Sequence, residues 1–87
     1  MYFVYILKSS TADKYYVGQT KDTESRLAFH NSSKARWTKR FQPWKIVYKE
    51  RFITRSEAMI KESFLKKQKN IKREIKTITQ LEEFFKT

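Results

Sequence analysis

The chain is 87 residues long, 39% apolar and 16% aromatic, with no cysteine and 20 basic against 9 acidic side chains, a formal net charge of +11. That length supports one domain spanning residues 1–87 around one core, and the missing cysteines exclude disulfide frameworks, thiolate metal sites and cysteine nucleophiles and fit a reducing compartment. No apolar run reaches the ~18–20 residues of a membrane span, and Met1-Tyr2-Phe3-Val4-Tyr5-Ile6-Leu7-Lys8 has neither the basic lead nor the small-residue cleavage site of a signal peptide.

The charge is spread along the chain: residues 1–43 carry +5 and residues 44–87 carry +6. Such a field attracts polyanions, nucleic acid first, acidic lipid or acidic protein less specifically. Residues 2–8 are β-branched and aromatic and read as a strand, residues 9–13 as a turn, and residues 14–20 as a second strand, so the pair forms a hairpin. Asp22 or Thr23 caps a helix to about Ser32, with Glu24 at its positive end. Residues 34–43 read as a loop. Residues 44–52 alternate as a third strand, with Trp44, Ile46 and Tyr48 on one face. Thr54 or Ser56 caps a second helix to about Lys69, and an amphipathic segment over residues 78–86 reads as a last helix packing back. The order β-β-α-β-α-α with short connections predicts an α+β fold, a small three-stranded antiparallel sheet flanked by helices.

Several polar residues stand where chemistry is available. Tyr5 and Tyr16 lie on adjacent strands of the hairpin, where a tyrosine alone reads as cross-strand packing. Arg26 and His30 are four apart and share a helix face, which alone reads as a solvated surface. Glu62 falls between Ala58 and Leu65 on one helical stripe, where an apolar residue is expected; lone carboxylates are rarely buried without a partner. Trp37, surrounded by Lys34, Arg36, Lys39 and Arg40 with no acid between, reads as a phosphate-gripping loop with one stacking ring. A second basic run over residues 66–73 begins with Lys66 and Lys67 and reads either as a binding surface or as a solubilising helix face.

Together these positions resemble the GIY-YIG nuclease family, in particular its small stand-alone bacterial members. The first motif stands here as Phe3-Val4-Tyr5 and the second as Tyr16-Val17-Gly18. The helix arginine matches Arg26 in Arg26-Leu27-Ala28-Phe29-His30-Asn31, and the metal-binding glutamate matches Glu62 in Glu57-Ala58-Met59-Ile60-Lys61-Glu62. Trp37-Thr38-Lys39-Arg40, Pro43-Trp44 and Val47-Tyr48-Lys49-Glu50 are also similar to the stand-alone members, so the resemblance covers roughly residues 2–75. Phe3 replaces the first glycine of the family name. Gln19 stands where several members have a lysine, and Asn70 is no secure match for an asparagine that some members carry.

The resemblance implies a metal-dependent endonuclease acting on DNA. Glu62 would bind Mg²⁺ or Mn²⁺, Arg26 would grip the scissile phosphate, Tyr16 would act as general base, Tyr5 would hold the water or phosphate, and His30 would assist by hydrogen bonding. The two tyrosine roles are interchangeable at this stage. Gly18, the only glycine, is expected to end a strand beside the site so that a phosphate backbone can approach. The expected substrate is DNA, branched or single-stranded forms included, in a repair or recombination setting; the expected location is cytoplasmic and nucleoid-associated, with no membrane partner. The alternatives are a non-catalytic nucleic-acid-binding module on the same scaffold, which Gln19 favours, and a basic adaptor for acidic proteins or membrane surface.

Overall fold

The structure, a computed structural model, describes residues 1–68 and Ile71. The β-branched and aromatic N-terminal run forms strand β1, Tyr2–Ser9, and the second run forms β2, Tyr15–Thr20. They pair antiparallel, with Tyr5 opposite Gly18 and Leu7 opposite Tyr16. Ser9 organises the turn between them. Its buried hydroxyl oxygen accepts the backbone N–H groups of Thr11 and Ala12, and the hydroxyl donates to the Phe41 carbonyl at 2.7 Å. Strand β3, Trp44–Phe52, lies antiparallel on the other side of β1, so the sheet order is β2-β1-β3. The central strand is buried on both faces: Val4, Tyr5, Ile6 and Leu7 are each no more than 2% exposed.

Helix α1 runs Thr23–His30. Asp22 caps it, accepting the Ser25 backbone N–H at 3.1 Å and the Ser25 hydroxyl at 2.7 Å. It stops short of Ser32 because the Asn31 side chain turns away to clamp the Trp44 backbone, accepting its N–H at 2.6 Å and donating to its carbonyl at 3.0 Å. Helix α2 runs Arg55–Lys66, capped by Thr54, whose hydroxyl donates to the Glu57 carboxylate while its oxygen accepts the Glu57 N–H. The expected last helix over residues 78–86, and the basic run beyond Gln68, lie outside the described residues. Among the described residues no helix is long and apolar enough to cross a membrane.

The alternation expected in β3 breaks at one place. Ile6 pairs with Tyr48 but Leu7 pairs with Ile46, so Val47 is the extra residue of a bulge. A bulge flips every side chain beyond it. Trp44 and Ile46 therefore pack with Tyr5 and Leu7 on the α1 face, whereas Tyr48 packs with Val4, Ile6, Ala58 and Leu65 on the α2 face. The sequence expectation of one shared face for the three is corrected by this single residue.

Candidate active site

The α1 face of the sheet carries the polar groups. Tyr5 projects from β1 across its partner Gly18. A Cβ at position 18 would lie 2.6 Å from the Tyr5 hydroxyl oxygen and 2.8 Å from its Cζ, too close for real atoms. No glycine among the described residues has a positive φ, so space and not backbone conformation requires glycine here. The expectation that Gly18 admits a phosphate backbone is thereby corrected: the space above it is filled by the Tyr5 phenol, and Gly18 lies within β2, not at its end.

His30, the last residue of α1, is 2% exposed and therefore not on a solvated helix face. Its Nε2 lies 3.3 Å from the Tyr5 hydroxyl and its Nδ1 lies 3.0 Å from the Thr38 hydroxyl. The Tyr16 ring sits 4.5 Å from the imidazole, centroid to centroid, and 6.3 Å from the Tyr5 ring. Arg26, one turn before His30, covers the Phe29 ring at 4.7 Å, and its charge acts on both Tyr5 and His30. Two phenols, an imidazole and a guanidinium thus converge from β1, β2 and α1.

Burial pushes the Tyr5 phenol above the usual tyrosine range, with Arg26 pulling the other way and the negative charge of Tyr16 and Glu62 adding to the rise. Burial first, and then the Arg26 charge, hold His30 below the ordinary histidine range. The imidazole is neutral at neutral pH as a result.

Glu62 arrives from α2. Ala58 and Leu65 flank it on the helix as buried residues, while its own side chain keeps 19% exposure and meets Lys66 Nζ at 3.5 Å. Its charge reaches Tyr5. Among the described residues no three His, Asp or Glu side chains gather as a metal cluster. A divalent ion here would have one protein carboxylate and fill its shell with water and substrate oxygens, a donor set that suits Mg²⁺.

A cavity of about 400 Å³ opens beside β2, an outer strand of the three-stranded sheet. Tyr16 lines it from the strand, Trp37 from the α1 side, and Leu65 and Lys66 from α2. Trp37 is half exposed, against the Phe41 ring at 5.1 Å. Lys34, Arg36, Lys39, Arg40, Lys66 and Lys67 are all exposed. The segment expected as a plain loop is in fact held in place. It contains a 3₁₀ turn, Thr38–Phe41, with Ala35 and Thr38 buried. The Gln42 amide donates to the carbonyls of His30 and Ser32, and the Trp44 indole donates to the Thr38 carbonyl at 2.7 Å. Sequence reasoning passed over Asn31, Thr38 and Gln42. Asn at a helix end is a recognised stop signal; the burial of Thr38 and the reach of Gln42 leave no local trace.

The GIY-YIG catalytic domain model matches residues 1–83. The chain is 38% identical over 73 residues to a UPF0213 protein of Streptococcus pneumoniae serotype 4, covering 83% of this chain and 73% of that one. It is 42% identical over 67 residues to a UPF0213 protein of Listeria innocua, covering 76% and 73%. The solution NMR structure of a UPF0213 protein from Bacillus halodurans matches with a TM-score of 0.54 at 31% identity, covering 92% of this chain and 83% of that one.

Proposed function

The chain belongs to the GIY-YIG catalytic-domain family, a nuclease family whose substrate is nucleic acid, and from that premise we propose that it is a metal-dependent endonuclease hydrolysing phosphodiester bonds in DNA. The observation that carries this reading is the convergence of Tyr5, Tyr16, Arg26 and His30 on one face of the sheet, within electrostatic reach of Glu62.

Glu62 would hold the divalent ion, Mg²⁺ or Mn²⁺, which stabilises the leaving oxygen and the developing charge when bound. Arg26 grips the scissile phosphate with its planar fork of donors. Tyr16 lines the open cavity and takes the proton of the attacking water. Tyr5 is buried beneath it with its hydroxyl engaged by His30, and orients the water through its oxygen. Lys34, Arg36, Lys39, Arg40, Lys66 and Lys67 hold the phosphate backbone. Trp37, beside Tyr16 in the same cavity, stacks on a base. A ring can stack only on an unpaired or splayed base, so single-stranded and branched DNA are the preferred substrates. Repair or recombination at the nucleoid is the setting where such DNA arises.

The test is incubation with single strands, duplexes, flaps and junctions, with and without Mg²⁺ or Mn²⁺. Metal-dependent cleavage, faster on unpaired or branched DNA than on duplex, is expected. Binding without cleavage of any substrate would replace the enzyme with a nucleic-acid-binding module.

A further inference from the structure

A second, smaller cavity of about 250 Å³ lies at the other end of β2 from the one that Tyr16 and Trp37 line. Tyr2, Gln19, Thr20, Lys21 and Arg55 line it: two cations and, among the described residues, no carboxylate. The proposed mechanism uses none of them. Lys21 Nζ lies over the Tyr2 ring, 5.3 Å from its centroid. The turn that carries Lys21 is closed by Thr20, whose hydroxyl donates to the Asp22 carbonyl and accepts the Asp22 N–H. The nearest acids along the chain are engaged elsewhere, Asp22 by Ser25 and Glu57 by Thr54. Among the described residues neither Lys21 nor Arg55 forms an ion pair.

We propose that this cavity is a second phosphate site, holding the backbone of the same DNA whose scissile phosphate lies at Arg26. The argument is placement. Leu65 and Lys66 line the larger cavity with Tyr15, Tyr16 and Val17, whereas Arg55 lines the smaller one with Gln19 and Thr20, so α2 runs antiparallel to β2. Arg55, Glu62 and Lys66 fall on one stripe of the helix, at i, i+7 and i+11. The stripe that carries the carboxylate assigned to the metal therefore has a cation and a cavity at each end. Tyr16 and Thr20 are about 13 Å apart at the rise of a strand; Arg55 and Lys66 are about 16 Å apart at the rise of a helix. Both elements give the spacing of about four to five base pairs, at one charge per 3.4 Å of each strand. A small anion needs one such cavity; two in line on either side of Glu62 suit a polyanion. The inference rests on the nuclease reading for its substrate, DNA, and not for the cavity.

The test compares Lys21→Gln with Arg55→Gln, as a double variant, with wild type on a short duplex. Binding is expected to weaken and the log–log salt slope to flatten by about 0.9, the share of one phosphate, with the thermal midpoint unchanged. Lys45→Gln with Arg51→Gln removes the same charge from β3, the opposite edge of the sheet, and is expected to keep the wild-type slope. Uncharged methylphosphonate linkages, placed one at a time, are expected to find a position about four to five steps from the cut where wild type loses affinity and the Lys21/Arg55 variant does not. No such position, a wild-type slope in the Lys21/Arg55 variant, or equal flattening in the β3 control overturns the proposal. Inorganic phosphate titrated into labelled wild type tests the free-anion source. Amide shifts at residues 19–21 with phosphate, beside a DNA slope that Lys21 and Arg55 do not affect, would make the cavity a small-anion site and overturn the backbone assignment. If the double variant does not fold, the linkage scan on wild type still decides. If DNA is bound but not cut, the nuclease reading fails, and the salt slopes judge the phosphate site by themselves.

Discussion

The two faces of the sheet share three strands and differ in what they bury. On the α2 face Val4 and Ile6 meet Ala58, Leu65 and Tyr48 in an almost wholly hydrocarbon layer. On the α1 face, one residue along the same strand, Tyr5 and Leu7 meet His30, Thr38, Tyr16 and Trp44, and the polar atoms are joined by hydrogen bonds. Hydrocarbon packing gains free energy from area and tolerates no voids. A buried polar network contributes little net stability but costs heavily when one partner is lost. On the proposed reading the pleat of β1 separates stability from chemistry by side: the α2 face is mainly hydrocarbon packing, and the α1 face adds to its own apolar cluster the groups assigned to cleavage. Glu62 is the exception that joins them, a carboxylate at the rim of the hydrocarbon layer whose field crosses to Tyr5.

The comparison breaks most visibly if residues that link the chemistry prove dispensable. Glu62→Gln is expected to abolish metal-dependent cleavage while DNA binding, measured by gel shift, stays close to wild type. Tyr16→Phe removes one oxygen from a partly exposed ring, so the thermal midpoint should hold while the cleavage rate drops about 10²–10⁴-fold. Should Tyr16→Phe cut at the wild-type rate, the general base must be placed elsewhere.

Gly18→Ala sharpens the point. One added methyl group must displace the Tyr5 phenol from its place over β2. Cleavage is expected to fall nearly as far as in a Tyr5 variant, and the Tyr5–His30 hydrogen bond should disappear from NMR spectra. An alanine variant with normal cleavage would mean that Tyr5 has room to move without consequence.

A smaller effect follows from the burial of His30. Its folded-state pKa lies below the ordinary 6.5, so in the window beneath that value the unfolded chain binds a proton that the native state refuses. Stability is full above about pH 6.5 and falls as pH drops toward the lowered value. Denaturant titrations at stepped pH should show this decline, and His30→Asn should flatten it. A wild-type curve that does not slope there would mean that the imidazole accepts a proton in place.

The least severe changes are expected at the exposed cations. Lys39→Ala with Arg40→Ala should weaken binding to all DNA sequences and flatten the log–log salt dependence by up to roughly two units, since each phosphate contact contributes about −0.9 on duplex. Trp37→Ala should hurt single-stranded and branched substrates more than duplex. Salt titrations that superimpose on wild type would remove this segment from the binding surface.

Much of this division was readable in the chain. Strand composition and the Asp22 and Thr54 caps place the strands and the helix starts within a residue or two, because those signals are local, whereas α2 ends at Lys66, three residues before the expected Lys69. Tyr5, Tyr16, Arg26 and Glu62 stood out through their order and spacing. What escaped was whatever depends on distant partners. The bulge at Val47 has no local signature, since it is set by how β3 must meet β1 to bury Trp44 on one side and Tyr48 on the other. Gly18 was singled out for the wrong reason: its neighbour across the ladder is Tyr5, thirteen residues away, and only the register reveals the collision. His30 looked solvated because helix periodicity does not show that residues 31–43 fold over it.

The most direct test of the separation uses adjacent residues of one strand. Cleavage rate and thermal midpoint would be measured side by side for wild type, Tyr5→Phe and Ile6→Val. Tyr5→Phe is expected to lose cleavage while giving up about 1–3 kcal/mol, because it leaves His30 Nε2 buried without its hydroxyl partner. Ile6→Val should lose about 0.5–1.5 kcal/mol and cut DNA at the wild-type rate per folded molecule. Cleavage that survives in Tyr5→Phe, or that is lost in a folded Ile6→Val, would contradict the assignment of chemistry to one face and stability to the other.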